Sequence, residues 1–160
     1  MNFLRRLFGV KKCANLDALV RYIRPGNLFA LARWIEWRIV YTKDESPKDH
    51  WQSPDVAIGN EKGDCEEKAV IAAAVIKKWP GWYADVIVIE NATGKGVGHA
   101  VCAWWDGLGE RGILDDGAIH RYPVSGGPDT KTIVRELWPK SSSFFYTDFR
   151  GRPISERISL

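Results

Sequence analysis

Cys65, His99 and Asp115 are the residues of this chain whose types and surroundings suit nucleophilic chemistry. Cys65 stands in Gly63-Asp64-Cys65-Glu66-Glu67, ahead of the apolar run from Ala69 to Ile76. Asp64 suits a helix N-cap, and Glu67 three places later completes a capping-box pattern. Cys65 then takes the first helical position, where unsatisfied backbone N–H groups and the positive end of the helix dipole favour an anion. The same groups can stabilise an oxyanion formed by attack on a carbonyl. Three carboxylates, Asp64, Glu66 and Glu67, oppose a thiolate. Each such charge is worth about 0.3–1 kcal/mol, so together they can cancel the dipole. A histidine partner would restore reactivity. Without one, Cys65 reads as a buried, inert thiol.

The chain has three histidines. His50 lies in a polar connector and His120 follows the third expected strand. His99 sits inside the apolar stretch Val97 to Trp105, where a polar residue needs a reason. It is either a hydrogen-bonded core residue or a base. Asp115 and Asp116 end the next expected strand. A three-residue loop from Asp106 to Leu108 would pair position 99 with position 115, with Cβ atoms about 4.5–5.5 Å apart. Asp115 would then hold the imidazole in one tautomer. A different loop length brings Leu114 or Asp116 opposite instead, and both aspartates also suit a strand-ending turn. Cys102 falls on the strand face opposite His99, and Cys13 has no suggestive partner. A nucleophile at a helix start, a base on one strand and an orienting acid on the next make a thiol acyl-transfer site.

The elements that must position these residues follow from pattern. Residues 15–23 and 27–41 read as helices broken at Arg24-Pro25-Gly26. A polar connector from Thr42 to Lys62 contains Pro47 and Pro54, and its length suggests function. Residues 65–79 read as a helix that is apolar nearly all round and therefore central. Residues 83–90, 97–105 and 112–116 read as strands, followed by a short helix over 130–137 and a strand over 143–149. Helices first, then an antiparallel sheet with one central helix, give an α+β single domain over residues 1–160. Residues 1–40 form its helical N-terminal extension, and residues 41–116 hold the motifs.

Composition limits the alternatives. The 160 residues carry formal net charge +3, with 45% hydrophobic and 27% charged residues. That is enough for a core without metals or disulfides. Arg5, Arg6, Lys11 and Lys12 supply the excess charge, so a nucleic-acid surface is not indicated. Three scattered cysteines, with no CxxC pair, suit a reducing compartment. Phe3, Leu4, Leu7 and Phe8 follow helical spacing. They are read as packing on the domain in preference to touching a membrane. No signal peptide or membrane span is recognised, and a cytoplasmic or phage-encoded protein is expected. Of eight tryptophans, Trp34, Trp37, Trp79 and Trp138 fit helix packing. Trp51, Trp82, Trp104 and Trp105 could line a substrate groove.

The segments GDCEEKA (63–69), GHAV (98–101) and ILD (113–115) resemble the transglutaminase-like cysteine protease superfamily, and most of all its bacterial and phage members. Tyr41, Asp44, Trp51, Gln52 and Pro54 resemble the upstream pattern of that superfamily. The resemblance spans about residues 41–116. It implies a papain-like α+β core with the cysteine helix packed on an antiparallel sheet. It also implies Cys65 as nucleophile, His99 as base and Asp115 as orienting acid. Gln52, or in competition Trp51, becomes the side-chain oxyanion donor. Glu67-Lys68 departs from the Asp-Tyr of many members, which alters the surface beside the triad. Some secreted relatives hold calcium through acids flanking the cysteine, which makes Asp64, Glu66 and Glu67 candidate ligands. The simpler reading is three acids complementing a helix dipole and no cofactor. The implied activity is cleavage of a peptide or isopeptide bond through a thioester. The alternatives are a non-catalytic binding or assembly module, a true transglutaminase and, last, an arylamine acyltransferase.

Overall fold

Asn15 and Asn27 each accept a hydrogen bond from the amide three residues on, Ala18 and Ala30. They open α1 (Leu16–Tyr22) and α2 (Leu28–Arg38), separated where Gly26 adopts φ +80°. A computed structural model describes residues 9–43, 50–91 and 98–160. The segment Phe3 to Phe8, Asp44 and Pro47 lie outside these. Leu28, Leu31, Trp34 and Ile35 of α2 are buried, as their spacing predicts.

The polar connector is more structured than its composition suggests. The helix expected over 27–41 ends at Arg38, and β1 (Val40–Tyr41), just ahead of the connector, pairs in parallel with β2 (Lys62–Gly63) at its end. Between them α3 (Pro54–Asn60) starts from an Ser53 cap, with proline in its first turn. Ala57 and Ile58 bury its inner side. Only two buried residues per seven-residue helix is too weak a period to stand out in a polar sequence.

The cysteine helix, α4 (Cys65–Ile76), is buried over nearly its whole circumference. Each fully buried isoleucine there, Ile71 and Ile76, contributes about 1.5–3 kcal/mol of transfer free energy. The helix rests on a six-stranded antiparallel sheet. Its strands are β3 (Tyr83–Asn91), β4 (His99–Trp105), β5 (Glu110–Asp115), β6 (Ala118–Pro123), β7 (Ser141–Thr147) and β8 (Ile158–Ser159). The spatial order is β6-β5-β4-β3-β7-β8. Strands β6 and β8 do not stand out in the sequence, because edge strands bury few side chains.

Strand alternation divides the core in two. Ala100, Cys102, Trp104 and Leu114 face α4 and the N-terminal helices. Val101, Ala103, Ile113 and Phe144 face α5 (Thr130–Leu137), which contributes Ile133 and Val134.

The β4–β5 register differs from the expected one. Cys102 stands opposite Leu114 and Trp105 opposite Arg111. The loop is three residues long but begins one residue later, at Gly107. The cause is Asp106. Its amide donates to the carbonyl of Glu110, and its Oδ1 accepts from the amides of Leu108, Gly109 and Glu110 at 2.8–3.0 Å. Gly107 and Gly109 supply the positive φ values this closure requires.

Candidate active site

The local chain at the cysteine is fixed by a capping box. Asp64 accepts from the amides of Glu66 and Glu67, and Glu67 Oε2 accepts from the Asp64 amide at 3.0 Å. A Cβ on Gly63 would lie 2.4 Å from the Cβ of Glu67, so only glycine lets the glutamate fold back there. The other oxygen of Glu67 accepts from the Gln52 amide at 2.9 Å. Gln52 is thereby held to the first turn of α4. It lines a cavity of about 320 Å³ with Thr42, Asn60, Lys62 and Gly63. Trp51 is used differently. Its ring packs under Gly151, where an added Cβ would approach it to 2.5 Å.

Cys65 is partly buried. Its Sγ receives the backbone N–H of Ala100 and lies 3.7 Å from Glu66 Oε2. The amide of Ala100 directly follows His99, so the thiol sits at the end of β4 where the histidine begins the strand. Burial pushes the thiol pKa up to about 12; the Ala100 amide opposes this, while the Glu66 and Asp64 charges add to it. At rest the group is therefore a thiol. Cys102 is fully buried in the strand, and burial pushes its thiol up as well.

His99 Nε2 and Asp115 Oδ1 are 2.8 Å apart. Continuing the β4–β5 register places Asp115 across from Val101, diagonal to His99 and on the same face. Diagonal neighbours are about 7–8 Å apart at Cα, a gap that an imidazole and a carboxylate span between them. The bond from Asp115 raises the His99 pKa; burial lowers it, the charges of Asp115 and Asp116 raise it and that of Lys68 lowers it. Asp116 turns away into a left-handed conformation, φ 52°, and pairs with Lys68 of α4 at 3.3 Å. Among the described residues no hydrogen bond joins Cys65 to His99. Catalytic contacts of this kind commonly tighten only when substrate is bound.

The tryptophans are arranged differently from expectation. Trp82 and Trp104 pack with their rings tilted by 31°, and Trp105 stacks on Tyr83. Trp104 and Trp105 lie at the far end of β4, about 20 Å from His99 at strand rise. Trp138, expected to be helix packing, stands beside His99 with ring centroids 5.8 Å apart. Neither that contact nor the Lys68–Asp116 pair has a local sequence signal, since each joins distant segments.

The ligand atoms of Asp64, Cys65 and Glu66 lie within 4.8 Å of one another. Asp64 and Glu66 thus offer carboxylate oxygens that suit a hard divalent cation. Glu67, whose two oxygens are both taken by backbone amides, is not part of that cluster.

An antiparallel sheet with a buried cysteine-bearing helix makes this an α+β protein, consistent with a transglutaminase-like, papain-like fold. Legionella pneumophila LapG in its calcium-bound form has a similar structure, with TM-score 0.52 and 17% identity over 90% of this chain and 82% of that one. A second LapG structure gives TM-score 0.47 and 21% identity, covering 83% of this chain and 71% of its own. An EGTA-treated form gives 0.47 and 22%, covering 81% and 67%. No family model and no curated protein matches the chain. Among the described residues no helix is long and apolar enough to cross a membrane.

Proposed function

We propose that the protein is a thiol-dependent acyl-transfer enzyme, a cysteine peptidase or amidase acting on peptide or isopeptide bonds. Cys65 is the nucleophile, His99 the general base and Asp115 the group that orients it. The observation that carries this reading is the 2.8 Å contact between His99 and Asp115, at the strand end whose next amide, that of Ala100, bonds the Cys65 thiol.

Asp115 occupies Nε2 of His99, so Nδ1 is the ring nitrogen left to exchange a proton. The proton of Cys65 passes to it as Sγ bonds to the substrate carbonyl carbon. The carbonyl oxygen takes the negative charge. The Cys65 amide, at the first position of α4, and the Gln52 side chain serve as donors to that oxygen. Imidazolium then gives its proton to the leaving nitrogen as the C–N bond breaks, leaving a thioester. Water adds to the thioester with His99 again as base, the C–S bond breaks, and the proton returns to Sγ. Hydrolysis is favoured over transamidation because no acyl-acceptor site is recognised in the sequence. A divalent cation held by Asp64 and Glu66 would offset the charge that opposes a thiolate.

The raised thiol pKa favours a second reading, a non-catalytic module in which Cys65 merely packs. Iodoacetamide alkylation of Cys65 separates the two. In the enzyme, the rate rises through the titration of His99, well below the thiol's own range, and His99→Ala loses about 100-fold or more at pH 7.5. A Cys65 that reacts only after unfolding, or equally well without His99, establishes the packing module.

A further inference from the structure

We propose that the cavity between His99 and Trp138 receives the residue on the leaving-group side of the cleaved bond, and that it selects a large apolar side chain there. This rests on the catalytic roles proposed above. His99 returns its proton to the leaving nitrogen, so the residue carrying that nitrogen sits against the imidazole. Its side chain therefore meets whatever else borders the ring. A cavity of about 370 Å³ lies there, formed with His99 by Ile89, Leu137, Trp138 and Pro139. Its walls are mainly apolar, and the Trp138 ring is 5.8 Å from that of His99. Asn91 and Ser141 supply polar groups at the edge, suited to the peptide backbone, and among the described residues Lys140 adds a cationic group to the lining. A cationic side chain is thus disfavoured, and glycine leaves the cavity unfilled. The volume is at the small end for ligand pockets and ample for one large side chain. A second cavity, of about 340 Å³, is bordered by Trp105 and Arg111 at the other end of β4 and does not touch His99.

The test is digestion of a denatured-proteome peptide library with the full chain, reading the new N-termini by mass spectrometry. The expected result is enrichment of Leu, Ile, Met, Phe and Tyr at the first residue of the released fragment, by about 10-fold or more over Gly and Lys. Trp138→Ala, checked for folding by circular dichroism, should flatten that preference, and Trp138→Phe should keep most of it. New N-termini without apolar enrichment, or enrichment that survives Trp138→Ala, overturn the proposal. A binding arm needs no turnover. In Cys65→Ser protein, L-phenylalaninamide should shift the Trp138 indole N–H resonance, and glycinamide at equal concentration should not. Equal or absent shifts count against the pocket. Failure of the catalytic reading shows separately, as wild-type Cys65 alkylation that does not depend on His99.

Discussion

Lys68 on the cysteine helix and Asp116 in the turn after β5 form an ion pair at 3.3 Å, which ties the element carrying Cys65 to the one carrying Asp115. Lys68 is buried and also lies over the Tyr41 ring. Its charge works against protonation of His99. Lys68→Met should therefore raise the His99 pKa further, read from the imidazole resonances in an NMR titration. The Asp116 Oδ1 that faces Lys68 is buried although the side chain is 46% exposed, so removing the buried partner should also lower global stability by more than the ~1 kcal/mol of an exposed pair. An unchanged or lowered His99 pKa would show that Lys68 does not act on the imidazole.

Asp115→Asn should act mainly at low pH. The folded pKa of His99 is raised above its ordinary value, first by the Asp115 hydrogen bond. That pair therefore contributes stability that is fully present below the unfolded value of about 6.5. The contribution is lost as pH rises through the folded pKa. The stability gap between wild type and Asp115→Asn should be wider at pH 5.5 than at pH 9 in urea titrations. A gap that is constant, or wider at pH 9, would mean that the pair does not couple protonation to folding. Alkylation of Cys65 at pH 7.5 should also slow, because the asparagine no longer supports imidazolium.

Asp106→Ala tests the cause of the strand register. Three backbone amides lose their carboxylate acceptor. Hydrogen bonds to a charged group are worth about 1.5–3 kcal/mol, and here they share one oxygen, so a loss of about 2–3 kcal/mol is expected. Burial pushes the Asp106 pKa up, but the amides of Glu110, Leu108 and Gly109 outweigh it and hold it below the ordinary range. The stability is thus present above the unfolded value of about 3.9 and lost as pH falls through the folded one. The difference between wild type and variant in chemical denaturation should shrink toward pH 3. A variant as stable as wild type at pH 7 would place the register in the strands and not in the loop.

The sequence carries the helix start at Cys65 because capping, dipole and burial are local, and the capping box forms from the residues that spell it. It carries the face shared by His99 and Asp115 because the strand period of two survives any even shift. The exact pairing is not legible. It depends on which residue closes the loop, and three hydrogen bonds to one oxygen of Asp106 settle that in three dimensions. Helix α3 is hidden by its polar outer side, and β6 and β8 by their exposure. The neighbourhood of His99 is the least legible part. Trp138 arrives from the end of a helix far along the chain, and no spacing rule links a helix C-cap to a strand start across a sheet. Of the tryptophans read as groove candidates, Trp104 and Trp105 lie at the far end of β4, Trp82 packs against Trp104, and Trp51 packs beneath Gly151.

Gln52 can be separated from the nucleophile by the kind of electrophile used. Attack on an amide carbonyl builds charge on oxygen, whereas alkylation by iodoacetamide displaces iodide and needs no oxyanion donor. Gln52 is fixed to the helix start through its backbone, by the 2.9 Å bond to Glu67, so Gln52→Ala removes the side-chain amide without releasing that anchor. Peptide cleavage should fall by about 10²–10³-fold, the usual cost of one oxyanion donor, while Cys65 alkylation should keep its wild-type rate. Trp51→Phe, by contrast, changes a ring packed beneath Gly151 and should lower thermal stability more than it lowers cleavage by the folded protein. Slowing of both reactions by Gln52→Ala would assign Gln52 to the architecture of the helix start. A selective loss of cleavage in Trp51→Phe would transfer the donor role to the tryptophan.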